Sequence, residues 1–141
     1  MENEHIIKIT DISRDAQGEN AVEITTRGCY YGTPDDYRVE YDEVFGDGMT
    51  GHTVVIVRDR QSVSILRTGS IISELTIEQG KRHNCVYRTP FGDLNLGIYA
   101  SGVKSRVGPD GGTLQMKYTV DIDGSLTSEK QLLIHISKIT Q

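Results

Sequence analysis

Residues 114–122 read LQMKYTVDI, a stretch in which apolar side chains alternate without a break with polar or charged ones. Successive side chains of a β-strand point to opposite faces, so this period of two predicts a strand with one buried face. The same alternation recurs in residues 22–31, 37–42, 62–67, 94–100 and 132–136. A helical period of 3.6 residues is nearly absent, and the sequence therefore predicts an all-β chain.

Turn signals separate these segments, as expected for strands joined by hairpins. They are Gly18, Pro34–Asp36, Gly46–Gly48, Asp59–Gln61, Gly80, Pro109–Gly112 and Asp123–Gly124. One segment, residues 70–79, fits two structures. Ile71, Ile72 and Leu75 suit one face of a short helix, whereas Ile71, Ser73 and Leu75 suit one face of a strand. The sequence leaves these two interpretations open.

The length of 141 residues fits one domain that spans residues 1–141. Regularly spaced turns between about eight to ten short strands are typical of a sandwich or a barrel. We expect a single antiparallel β-barrel, since closing the sheet on itself removes the exposed edges that a long meander would otherwise carry.

Charge and cysteine content exclude several classes of protein. The formal net charge of −5 argues against a nucleic-acid partner, because such binding depends on many Lys and Arg contacts to phosphate. The acidic start of the sequence and the absence of a long apolar run predict a cytoplasmic protein with no membrane partner. Cys29 and Cys85 lack metal-binding spacing, so we expect reduced, buried cysteines and neither a metal nor another cofactor.

Several apparent motifs fail in context. Residues 46–51 read GDGMTG, yet a strand-forming run follows where a dinucleotide-binding loop needs a helix. Residues 121–124 read DIDG, which begins like a calcium loop but suits a hairpin turn better. The four histidines share no spacing, and the sequence predicts no catalytic residue. A dispersed site that pairs His83 with Glu40 or Glu78 across strands stays open as the least favoured interpretation.

The candidates for a binding site are polar side chains an even number of residues from inward-facing apolar ones on the same strand, because such positions share one face of the strand. Arg67, Tyr30, Tyr41 and Tyr118 are predicted to point inward, with Tyr87 and Phe91 as rim contacts. A buried arginine must be paired or meet an anion, because an isolated buried charge is costly. The alternatives for Arg67 are extension to the rim or a pair with Glu43. For the tyrosines, the alternative is a packed ring whose hydroxyl reaches a carbonyl.

Several short segments along the chain together carry a family resemblance: Thr26–Tyr31, Tyr41–Glu43, Gly51–Thr53, Arg67–Gly69, the Gly80 turn, Pro90–Leu94 and Asp110–Gly112 with Tyr118. In these segments, and along essentially its whole length, the chain resembles the YwiB-like family of small uncharacterised bacterial proteins. The resemblance implies a calycin-like or lipocalin-like barrel and brings no established activity, substrate or catalytic residue. With no Trp, the sequence lacks the G-x-W signature of true lipocalins.

Three functions follow as hypotheses. The leading one is a non-catalytic barrel that binds a small amphipathic or anionic molecule, since a small barrel has room either for side chains or for one small ligand. The second is a protein-interaction module or homodimer, which an exposed apolar patch would favour. The third is an enzyme with a dispersed site. A completely filled interior would contradict the first hypothesis.

Overall fold

A computed structural model describes residues 4–44, 48 and 50–139. Within this part of the chain there are ten β-strands. They are β1 Glu4–Asp15, β2 Gly18–Gly32, β3 Tyr37–Val44, β4 Thr50–Arg58, β5 Ser62–Gly69, β6 Ser73–Glu78, β7 Arg82–Thr89, β8 Gly92–Gly108, β9 Gly111–Ile122 and β10 Ser125–Lys138. No described segment forms a helix with the length and apolar character needed to cross a bilayer.

All ten strands belong to one antiparallel sheet with the order β6-β5-β4-β3-β2-β1-β10-β9-β8-β7. The first and last strands pair directly, as in the contact of Ile7 with Ile136. The two sheet edges, β6 and β7, face each other across a gap that we call the seam. One bridge, between Ile72 and Arg88, spans it, and a second joins Gln79, which follows β6, to Ala100 on β8. The result is a nearly closed barrel, which confirms the predicted fold.

Because the strands run up and down, alternate turns lie at the same end of the barrel. The β1–β2, β3–β4, β5–β6, β7–β8 and β9–β10 connections share one end, which we call the open end. The opposite end, which we call the packed end, holds the remaining turns. At the packed end, the alternating rows predicted from sequence fill the interior. Its largest fully buried side chains include Ile7, Val39, Val57, Val63, Ile77, Leu114, Met116, Ile134 and Ile136.

The structure settles most of the local predictions. Residues 73–78 form a strand, so the helical interpretation of this segment is wrong. Asp123 and Gly124 both have positive φ angles, as a tight hairpin turn requires. The GDGMTG stretch falls partly outside the described residues, which omit positions 45–47 and 49.

Both cysteines are free, but each is half-buried, so the prediction of burial is wrong. Cys29 lies between the inward residues Gly28 and Tyr30 on β2 and therefore points outward. Cys85 packs against the core but is not fully buried. Its strand, β7, is an edge of the sheet and forms no continuous ladder with β6 across the seam.

Candidate functional site

A cavity of about 450 Å³ occupies the half of the barrel nearest the open end. The packed end is filled, so the interior is neither empty throughout nor closed to a ligand. Most of the lining is apolar, contributed by Ile9, Val22, Ile24, Ile71, Leu75, Leu94, Leu96, Ile98, Val120, Ile122 and Leu132. The polar lining residues are Asp11, Glu43, Arg67, Tyr87, Tyr118, Ser128 and Lys130.

Arg67 is the inward residue that follows Val63 and Ile65 on β5. Its Nε atom is buried and has no hydrogen-bond partner. Among the described residues, no carboxylate oxygen lies within 4.0 Å of a guanidinium nitrogen of Arg67. The predicted alternative, a direct ion pair with Glu43, is therefore not formed. Burial lowers the pKa of Arg67, but the surrounding acidic groups, with Tyr87 first, raise it by more. The guanidinium is therefore charged.

Glu43 lies at the same end of the barrel, near the end of β3, and is only 9% exposed. Its carboxylate accepts a hydrogen bond from Thr53 Oγ1 at 3.1 Å, which fixes it against β4. The pKa of Tyr41 is raised, chiefly by burial and then by the negative charge of Glu43. Thr53 therefore holds this carboxylate in place.

Lys130 and Asp11 form an ion pair in the cavity wall. Lys130 Nζ lies 2.8 Å from Asp11 Oδ1 and also donates to Ser13 Oγ at 2.8 Å. Tyr118, beside them, is buried, and burial, followed by the charge of Asp11, raises the pKa of its hydroxyl. Neither Tyr118 nor Tyr87 makes a side-chain hydrogen bond within the described part of the chain. Their hydroxyls are therefore available to a ligand.

The structure brings some of the predicted site residues together and separates others. Arg67, Tyr87 and Tyr118 line the cavity. Tyr41 is buried and lies outside the lining. Tyr30 is at the packed end, where its hydroxyl donates to the Gly108 carbonyl at 2.8 Å, as its packing alternative predicts.

Phe91 belongs to the β7–β8 turn and is 89% exposed. It is outside the cavity lining, although it lies at the open end. Sequence reasoning missed Asp11 and Lys130. The alternation of the strands could have identified both residues. Asp11 lies on the same face of β1 as Ile7 and Ile9, and Lys130 lies on the same face of β10 as Leu132.

Three polar side chains also meet at the seam. His83 Nε2 lies 3.2 Å from Glu78 Oε1, and Lys81 Nζ lies 3.1 Å from Glu78 Oε2. This is the His83–Glu78 contact that the sequence left open, but it is separate from the cavity lining and has no nucleophile among its members. Within the described ranges, no cluster of His, Cys, Asp and Glu has the arrangement needed to hold a metal ion.

The fold and the cavity define a calycin-like, up-and-down barrel that is packed at one end and hollow at the other. Residues 7–134 match DUF1934, a domain of unknown function, and the chain belongs to this family. A solved structure described as the ywiB protein from Bacillus subtilis has a TM-score of 0.86 and 19% sequence identity, and covers 98% of this chain and 93% of its own. This likeness shows the fold, and it confirms the YwiB-like resemblance. No curated protein matches the chain.

Proposed function

We propose that the protein is a non-catalytic binding protein that holds a small amphipathic or anionic ligand in the open half of its barrel. The observation that carries this proposal is the buried, unpartnered Nε of Arg67 beside a cavity of about 450 Å³. Small-molecule sites in proteins typically enclose about 300–1,000 Å³. The partner is therefore a small molecule, and a cytoplasmic location stays a prediction.

The energetic argument concerns the unmet hydrogen bond. A buried donor without an acceptor destabilises a protein by about 1–3 kcal/mol, and by more when the group is charged. Ser73, which pairs with Arg67 across the β5–β6 ladder, also has a buried hydroxyl without a partner. A buried polar group left unsatisfied needs an explanation, and a ligand that supplies the acceptor is the one we propose here.

Native mass spectrometry on protein purified under gentle conditions tests the proposal. The wild-type chain is compared with Arg67→Gln and with the control Arg106→Gln, which removes the same charge from an exposed position on β8. We expect a bound small mass in the wild type and the control, and its loss in Arg67→Gln. Equal occupancy in all three chains would contradict the assignment of Arg67.

A second candidate function rests on a different observation. Several large apolar side chains at the open end are exposed, among them Val44, Ile72, Phe91 and Leu126. Apolar side chains grouped at one end of a molecule favour protein interaction, including a homodimer. Analytical ultracentrifugation of the wild type and of Phe91→Ser distinguishes the two functions, since a dimer that weakens in the variant would favour interaction.

A further inference from the structure

We propose that the ligand is an amphiphile with a single carboxylate, bound with this head group inward on Arg67 and its apolar tail toward the open end. The inference rests on the proposed function, because it names the ligand class of the same cavity. Three features carry it: the depth of the polar groups, the charge balance of the wall and the donors that lack a protein partner.

Two polar groups of the lining are buried, whereas part of the apolar lining is exposed at the mouth. Arg67 Nε is buried, and Tyr118 is only 6% exposed. The lining side chains Val22 and Leu94, nearer the mouth, are 49% and 42% exposed. An apolar tail gains free energy against such a rim, whereas a charged head needs the deep donors. The cavity therefore suits an amphiphile whose charged head reaches the buried donors and whose tail lies against the apolar lining.

The charges in the wall favour a singly charged anionic head group over a doubly charged one. Lys130 is already neutralised by Asp11 at 2.8 Å, which leaves Arg67 as the cation available to a ligand in the described wall. Glu43 is within electrostatic reach of Arg67 and adds negative charge to the same site. A carboxylate introduces one negative charge, while a phosphate monoester carries about −1.5 to −2 and would be repelled more strongly.

The available donors also suit a carboxylate. Its two oxygens can accept from the planar guanidinium fork of Arg67, which is the strongest arrangement for this pair. The hydroxyls of Tyr87 and Tyr118, both in the lining and without side-chain hydrogen bonds in the described chain, supply further donors. Lysine at position 67 would keep the charge but lose the fork.

Isothermal titration calorimetry with a matched series tests the head group. The probes are decanoate, decyl phosphate, decanol and decyltrimethylammonium, with acetate as the tail-free control. We expect decanoate to bind most tightly and acetate not to bind. Arg67→Gln should weaken decanoate binding about tenfold or more, Arg67→Lys should weaken it less, and Arg106→Gln should leave it unchanged. Thermal unfolding of each variant checks that it is folded.

The outcomes separate the two proposals. Tighter binding of decyl phosphate, or equal binding of decanol, would overturn the carboxylate inference while leaving a binding barrel intact. If none of the amphiphiles binds saturably to the folded wild type, and no small mass accompanies it in native spectra, the binding function itself is overturned.

The orientation has its own measurement. Long-chain carboxylates labelled with a nitroxide either near the carboxyl group or near the methyl end broaden nearby proton signals. We expect the carboxyl-side label to broaden the ring signals of Tyr118, and the methyl-end label to broaden the methyl signals of Leu94. The reverse pattern would overturn the head-inward orientation.

Discussion

At the scale of single residues, Arg67 and Glu43 are predicted to be coupled. Both residues line the cavity, and they interact electrostatically without forming an ion pair. Arg67→Met removes an unpartnered donor but leaves the buried Glu43 carboxylate without its nearby cation. We expect the added change Glu43→Gln to be less costly in this background than in the wild type, with a coupling energy of about 1 kcal/mol. Urea unfolding of the four chains measures it, and additive effects would show that the two groups are independent.

Two strand glycines give a second prediction at this scale. A Cβ on Gly28 would overlap the backbone carbonyl of Glu40 and lie 2.9 Å from Ile7 Cγ1, so β2 and β3 would have to separate. We expect Gly28→Ala to lower the free energy of unfolding by about 2 kcal/mol or more.

Gly97→Ala is the matched control. Its Cβ would meet the ends of Arg82 and Asp121, whose ion pair of 2.7 Å crosses β8 on the outer face. These flexible side chains can move aside, and an exposed pair contributes at most about 1 kcal/mol. Urea unfolding compares the variants, and equal losses at the two positions would contradict the argument.

The alternation of side chains along a strand predicts which face of the sheet a residue occupies, but not how far along the barrel axis it lies. Tyr30 and Tyr118 both follow the inward row, as predicted. One hydroxyl reaches Gly108 at the packed end, and the other lies in the cavity. Depth depends on the registers between strands and on which turns share an end. Those are tertiary properties that a single strand does not encode.

Among the elements, β6 shows the same limit. Its sequence fits a helix or a strand equally well. The structure resolves it because β5 supplies a hydrogen-bonded ladder from Arg67–Ser73 to Ser62–Glu78, and Leu75 and Ile77 enter the interior. Local propensity is a weak determinant when a neighbouring strand and a core decide between two similar patterns.

The seam between β6 and β7 is predicted to loosen in acid. Hydrogen bonding to Lys81, then to His83, lowers the pKa of the Glu78 carboxyl from its value of 4.5 in the unfolded chain. A lowered pKa in the folded state means that the stabilisation is present above pH 4.5 and is lost as the pH falls through the folded value. We therefore expect the backbone amides at the neighbouring Gln79–Ala100 bridge, where Gly80 N donates to the Ala100 carbonyl, to become less protected in that window.

Hydrogen exchange measured by mass spectrometry, corrected for intrinsic rates, tests this prediction. Glu78→Gln should remove the acid-dependent change at the seam. Asp110→Asn is the control, since Lys138 lowers the pKa of that carboxyl at the packed end, away from the seam. If Asp110→Asn altered seam protection as much as Glu78→Gln, the effect would be one of overall stability.

For the whole molecule, the turns and strands predict a barrel, but they do not predict where it fails to close. The seam lies between β6 and β7, which are consecutive in sequence and are therefore expected to form a hairpin. The sheet instead closes between β1 and β10, whose paired residues His5 and Lys138 lie at opposite ends of the chain. This pairing requires contacts of high sequence separation, which slow folding.

A circular permutant tests this account of folding. Joining residues 141 and 1 by a short flexible linker, and opening the chain between Gly80 and Lys81, places the strands in the order of the sheet, so every full ladder joins consecutive strands. We expect this permutant to keep the barrel and to refold on the order of tenfold faster, because its contacts become local.

The control permutant is opened at Asp59–Gln61, between β4 and β5. In this chain one full ladder, β4–β5, joins the first strand to the last. Stopped-flow refolding followed by tyrosine fluorescence compares both with the natural chain. A permutant opened between Gly80 and Lys81 that refolds no faster than the natural chain would show that the β1–β10 pairing forms after the rate-limiting step.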